Sequence, residues 1–221
     1  MQTPLPYILI TVYGIVCALH LFFCTPPEQR RPRAVSKCLL MPLLAACYLV
    51  MARVLSPLVL AAVLCGFAGD ALLLFPENKR LFAAGLTAFA AGHILYALHM
   101  WRLLPAPPVW WLVLPGAAFY LGCIFLVMRP LRPCLPRGMF MPCLLYMLLI
   151  SFMSLTTLLL LTGRPSLYSA LLFCGSLLFV FSDTILAFST FGVRQYRYAN
   201  LLVMSTYILA QTLIVTGLTF I

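Results

Sequence analysis

The sequence predicts an all-α fold, a polytopic membrane helical bundle of about eight transmembrane helices forming one integral membrane domain over residues 1–221. Three observations carry that prediction. The chain is 64% hydrophobic and 8% charged, with a mean hydropathy of +1.09. Soluble domains run about 45–50% apolar and about 25% charged. Its apolar runs recur at the roughly 17–25 residues needed to cross about 30 Å of hydrocarbon. Its lysines and arginines fall almost entirely in alternate gaps between those runs.

The first run, Pro6–Cys24, has no basic segment before it and no small-residue cleavage site, so it reads as a retained span rather than a signal peptide. Thr25-Pro26-Pro27 closes it. The second, Lys37–Met51, is short, and Pro42 predicts a kink or a later start. Pro57–Leu74 follows and ends at Phe75-Pro76-Glu77-Asn78; Leu81–Trp101 ends before Pro105-Ala106-Pro107-Pro108. The fifth run, Val109–Met128, leads into Arg129-Pro130 and a loop reaching Gly138. Met139–Leu161, Ser169–Phe188 and Tyr198–Phe220 complete the set, with Thr162-Gly163-Arg164-Pro165 between the first two of these. Proline and polar clusters between apolar runs are loop punctuation.

The basic residues then orient the bundle. Arg30, Arg31, Arg33 and Lys37 flank the first loop, Lys79 and Arg80 the third, Arg129, Arg132 and Arg137 the fifth, Arg194 and Arg197 the seventh. Only Arg53, Arg102 and Arg164 lie on the other side. The positive-inside rule makes the odd loops cytoplasmic and puts both termini on the non-cytoplasmic side. The net charge of +10 is thus a topological signal, not a nucleic-acid footprint. Trp101, Trp110 and Trp111 flank an outer loop and read as an interface belt. The nine cysteines form no CxxC pair or metal-ligand spacing, and lie mostly inside apolar runs as small buried hydrophobes.

Two of the four acidic residues sit inside spans, in matched settings: Gly69-Asp70-Ala71-Leu72 and Phe181-Ser182-Asp183-Thr184-Ile185-Leu186-Ala187-Phe188. A charge at bilayer depth costs roughly 2.5–3.5 kcal/mol on insertion scales, so such residues are rare and commonly functional. Orientation gives them depth. Asp70 falls about one turn before the cytoplasmic end of span three, and Asp183 one to two turns before that of span seven. His20 and Lys37 share this leaflet, while His93, Tyr96, Tyr207 and Gln211 lie nearer the midplane. A polar cavity opening to the cytoplasmic side satisfies them all. Lys37-Cys38-Leu39-Leu40-Met41-Pro42 is similar to Arg137-Gly138-Met139-Phe140-Met141-Pro142, and the Asp stretches lie four spans apart. That pattern points to a four-plus-four duplication with Asp70 and Asp183 in equivalent places.

Each of these residues also has a structural reading. A buried carboxylate can simply be paired with Lys37 or capped by Ser182 or Thr184. His93 beside small Gly92 can serve as an interhelical donor, and Tyr207 with Gln211, one turn apart, as interhelical glue. The inventory lacks the convergent ligands of a metal hydrolase and the G-x-S-x-G elbow of a serine hydrolase. Two carboxylates with a lysine and a histidine suit acid–base chemistry, a proton relay or cation transport, and the residues alone leave these open.

Five stretches, in order, resemble the motifs of the YhhN-like lysoplasmalogenase family: Lys37–Pro42, Gly69–Leu72, Gly92-His93-Ile94-Leu95-Tyr96, Phe181–Ala187 and Tyr207–Ile214. The resemblance runs from about residue 30 to the C-terminus; Gly92 departs from the alanine or serine expected there. It implies a multi-pass hydrolase that cleaves the vinyl-ether bond of lysoplasmalogens to a fatty aldehyde and a glycerophospho-ethanolamine or -choline. On that reading Asp70 and Asp183 are the acid/base pair, by the logic of two-carboxylate glycosidases. His93, Tyr96, Ser182, Tyr207 and Gln211 line the cavity, and Lys37 holds the phosphate or a carboxylate. No metal or organic cofactor is required. The partner is a lysophospholipid entering from the bilayer. A proton- or cation-coupled transporter using the same carboxylates is the rival reading. The trimmed chain, without retention or lipidation signals, favours a bacterial inner membrane over a eukaryotic endomembrane.

Overall fold

The computed structural model describes residues 4–25, 29–75, 78–105, 110–194 and 196–221, and the side chains of all of these but Lys79 and Trp110. These residues form eight α-helices: α1 Leu5–Phe23, α2 Arg30–Met51, α3 Pro57–Leu72, α4 Lys79–Leu103, α5 Trp110–Leu131, α6 Phe140–Gly163, α7 Leu167–Thr190 and α8 Ala199–Phe220. A single 3₁₀ turn, Arg132–Cys134, follows α5. Seven of the helices are long and apolar enough to cross a membrane, and α3, at 16 residues, is the short one. The chain is therefore an integral, multi-pass membrane protein. The expected breaks at Pro26-Pro27, Pro76-Glu77 and Ala106-Pro107-Pro108 lie outside the described residues, as do the expected start of span five at Val109 and the side chain of Trp110. Trp101 and Trp111 are surface-exposed.

Proline shapes the helices less than local rules suggest. α2 begins at Arg30, about two turns before the expected Lys37, and runs unbroken through Pro42. α5 carries both Pro115 and Pro130. Buried helices tolerate such residues because neighbouring groups satisfy the freed backbone carbonyls. Among the described residues, two helix starts are capped by side chains. Asn78 accepts from the amides of Arg80 and Leu81 at the head of α4, and Ser166 with Ser169 forms a reciprocal capping box on α7.

Several helix contacts recur four helices on. α3 lies against α4 as α7 lies against α8; α1–α2 corresponds to α5–α6, α2–α3 to α6–α7, and α4–α6 to α8–α2. Small residues set the closest approaches. A Cβ on Gly92 would stand 3.1 Å from the Ala62 carbonyl of α3, and one on Gly175 would stand 2.9 Å from the Ala210 carbonyl of α8. Elsewhere buried hydroxyls stitch helices together. Tyr120, Ser154, Ser176 and Thr157 form a chain across α5, α6 and α7, and Tyr13 on α1 meets Thr212 on α8 at 2.8 Å. Orphan polar groups are costly in lipid, and among the described residues no buried side-chain nitrogen or oxygen lacks a partner.

Candidate active site

One cavity of about 480 Å³ opens among the helix ends next to the odd-numbered loops. Its wall draws on the last turns of α1, α3, α5 and α7 and the first turns of α2, α4, α6 and α8. That is the end that carries most of the arginines and lysines. The lining is mainly apolar, with Leu86, Phe89, Leu131, Met147, Ile150 and Val180 among its members, and both Asp70 and Asp183 reach into it. Size and character match a pocket for a small amphiphile: about 300–1,000 Å³, mostly hydrophobic, with few polar groups.

The two carboxylates are held differently. Asp70 sits in the last helical turn of α3 and is 2% exposed. Lys37 Nζ on α2 stands 3.3 Å from its Oδ1, and the Tyr207 hydroxyl on α8 donates to its Oδ2 at 2.8 Å. Both oxygens are engaged, which is how a buried charge is normally carried. Asp183 lies about two turns before the end of α7 and keeps some accessible surface. The Tyr146 hydroxyl on α6 donates to its Oδ2, and it has no ion-pair partner among the described residues.

Behind Asp183 the polar chain continues. His93 Nε2 on α4 is 3.1 Å from the Tyr146 oxygen, and its Nδ1 faces the Met153 sulfur at 3.3 Å. Aromatic rings fill the space between the two clusters. Phe179 meets His93 edge-on with centroids 4.6 Å apart and Tyr207 at 5.4 Å; Phe89 lies 6.0 Å from Tyr207. Such packing locks the rotamers of the groups that hold the carboxylates.

Of the residues singled out in the sequence, Asp70, Asp183, Lys37, Ser182 and Tyr207 line this cavity, and so does His20. Ser182 also donates to the Val203 carbonyl of α8 at 2.9 Å, tying α7 to its neighbour. His93, Tyr96 and Gln211 do not belong to the lining. His93 stands one residue back, behind Tyr146. Tyr96 donates to Gln211 Oε1 at 3.0 Å, both buried, joining α4 to α8 deeper in the bundle. Tyr146 was not singled out, although it is the one hydroxyl in the run from Cys143 to Ile150 and lies at the depth of Asp183. Matching depths across spans six and seven would have found it. Among the described residues no three His, Cys, Asp or Glu side chains converge as metal ligands.

The profile of the YhhN family matches residues 32–218. A mouse protein, Lysoplasmalogenase TMEM86B of Mus musculus, is 30% identical over 210 residues, covering 91% of this chain and 82% of its own. The Homo sapiens protein of the same name is 31% identical over 208 residues, covering 93% and 84%, and that of Sus scrofa is 31% identical over 213 residues, with the same coverage. No solved structure matches the chain.

Proposed function

The chain belongs to the YhhN family, and on that premise we propose that it is a lysoplasmalogenase-like hydrolase. It cleaves the vinyl-ether bond of a lysoplasmalogen to a fatty aldehyde and a glycerophospho-ethanolamine or -choline. The observation that carries this reading is that Asp70 and Asp183, four helices apart in sequence, face one largely apolar cavity at the basic end of the bundle. Relatives of this length and coverage named lysoplasmalogenase favour hydrolysis over a carrier built on the same carboxylates.

Vinyl-ether hydrolysis needs three things from a site. A proton is delivered to the outer vinyl carbon, the resulting oxocarbenium ion is stabilised, and water adds to the carbon bearing oxygen. The hemiacetal then collapses as a proton moves from its hydroxyl to the departing glycerol oxygen. One carboxylic acid and one carboxylate perform this cycle and regain their starting states, as in two-carboxylate glycosidases. The apolar wall takes the alkenyl chain, and Arg33 in the cavity wall lies where the headgroup phosphate emerges. Lys37 serves Asp70 first. Tyr207 orients the same carboxylate, Ser182 shapes the wall, and Tyr96 with Gln211 supports the bundle from behind. The positive-inside rule puts this mouth on the cytoplasmic face with both termini opposite, an arrangement open to a bacterial inner membrane or a eukaryotic endomembrane.

The test is aldehyde release from lysoplasmenyl-ethanolamine by purified protein in detergent. Asp70→Asn and Asp183→Asn should each lower turnover by about 10²–10⁴-fold, the range of a lost acid–base group, with helical content retained. Reaction in heavy water should leave one deuterium on the carbon next to the aldehyde. Wild-type turnover in either variant overturns the paired-carboxylate mechanism.

A further inference from the structure

The two carboxylates have different partners, and the difference assigns their roles. Four helices on, α2 corresponds to α6 and α8 to α4. Asp70 on α3 takes a cation from α2 and a phenol from α8. Asp183 on α7 takes a phenol from α6, backed by an imidazole from α4. The helix that supplies a charge in one half therefore supplies a neutral hydroxyl in the other.

A phenol has one hydrogen. Tyr146 gives it to Asp183 Oδ2, so its oxygen is left to accept from His93, which then carries its proton on Nε2. The Nδ1 side of that ring faces only a thioether. Asp183 Oδ1 makes no hydrogen bond to the described residues, and no buried side-chain oxygen among them is unpaired. That oxygen is thus the one open to the cavity. Asp70 offers the opposite picture, with both oxygens bonded and a lysine against one of them.

On the reading of the site proposed above, we infer that Tyr146 is the positioning residue that makes Asp183 the proton donor, with His93 fixing Tyr146, while Asp70 and Lys37 form the half that draws the water proton. Asp183 Oδ1 delivers its proton to the outer vinyl carbon. As negative charge grows on Asp183, the Tyr146 hydrogen bond to Oδ2 strengthens, which places its gain in the transition state. Asp70 stabilises the oxocarbenium ion, takes a proton from the attacking water, and passes it to the leaving glycerol oxygen. Asp183 recovers its proton from the hemiacetal hydroxyl, and the cycle closes with one water consumed.

The variant to make is Tyr146→Phe, which removes one oxygen and keeps the ring. With purified protein and lysoplasmenyl-ethanolamine, it should lower kcat about 10–100-fold, the scale of a misplaced reacting group, with KM within about twofold of wild type. The solvent deuterium isotope effect on kcat should be held or enlarged, because carbon protonation becomes slower. Lys37→Met should lower kcat with the isotope effect reduced, because water addition then limits. His93→Gln, which keeps an N–H donor, should retain more activity than His93→Leu. Wild-type kcat in Tyr146→Phe, or a reduced isotope effect there, overturns the assignment even where Asp183→Asn is inactive. Wild-type turnover in both aspartate variants instead removes the site reading, and the assignment with it.

Discussion

Lys37 on α2 stands 3.3 Å from Asp70 on α3, while Asp183, its counterpart four helices on, has no cation among the described residues. A buried ion pair is dearer to break than to do without. Removing one partner of a fully buried pair costs about 3–5 kcal/mol, whereas removing both can be nearly neutral. Lys37 is 16% exposed towards the cavity mouth, which screens the pair and lowers the figure. Lys37→Met should therefore destabilise the protein by about 1–3 kcal/mol, read as a lower midpoint of thermal unfolding in detergent. Lys37→Met combined with Asp70→Asn should recover most of that loss without recovering aldehyde release. Additive losses in the double variant would mean that the two residues act independently.

The Tyr96–Gln211 bond gives the contrasting case. Both residues are buried, but neither lines the cavity. An interhelical hydrogen bond of this kind in a membrane protein averages about 0.6 kcal/mol. Tyr96→Phe should lower stability on that scale and leave turnover within about threefold of wild type, since less than one factor of RT ln 10 is removed. A loss of turnover like that of Asp183→Asn would bring Tyr96 into the reaction after all.

Gly175 tests how tightly the α7–α8 pair is set. Alanine in a helix gains about 1 kcal/mol over glycine, yet its Cβ would stand 2.9 Å from the Ala210 carbonyl and from Ile214 Cγ1. The first of these is backbone and cannot rotate away. Overpacking of this sort costs about 1–3 kcal/mol, so Gly175→Ala should lower the thermal midpoint despite its better propensity. Because α7 carries Asp183 and α8 carries Tyr207, turnover should fall as well. A raised midpoint would show that the two helices part freely.

How much of this could be read in advance follows from which forces act locally. Span number, the odd-loop bias and the depth of Asp70 and Asp183 depend on composition along the chain, and each is visible residue by residue. The start of α2 at Arg30 was not, because three arginines and a proline look like loop until the N-terminal turns of a helix project them past the hydrocarbon. Nor was the division between cavity and core. Tyr207 and Gln211 sit one turn apart on α8, and rotation of the helix turns one hydroxyl onto Asp70 and leaves the amide with Tyr96. Tyr146 escaped for the same reason: a lone tyrosine in an apolar span has no pattern, only a partner.

Chain length offers a test of the apolar wall. Leu86 on α4 and Met147 on α6 both line the cavity. Leu86→Trp would fill space needed by a long alkenyl tail, and discrimination over a few methylenes in a hydrophobic pocket is worth about 1–3 kcal/mol. KM for a long-chain lysoplasmenyl-ethanolamine should rise about tenfold or more, while a short-chain analogue keeps its wild-type KM. Equal effects on both chain lengths would mean that the tail lies elsewhere.

Orientation is open to a direct chemical measurement. Cys134, in the 3₁₀ turn after α5, is exposed and lies in a connection with Arg132 and Arg137, just past Arg129 in the last turn of α5. If the odd loops are cytoplasmic, a charged, membrane-impermeant maleimide should miss Cys134 in intact cells and label it in inverted vesicles or after permeabilisation. Cys174, the other exposed cysteine, lies inside α7, where it faces lipid and a charged reagent does not reach it. Cys134→Ser should therefore abolish the labelling. Label taken up by Cys134 in intact cells would invert the bundle, putting the cavity mouth, and with it the headgroup of the substrate, on the outer face.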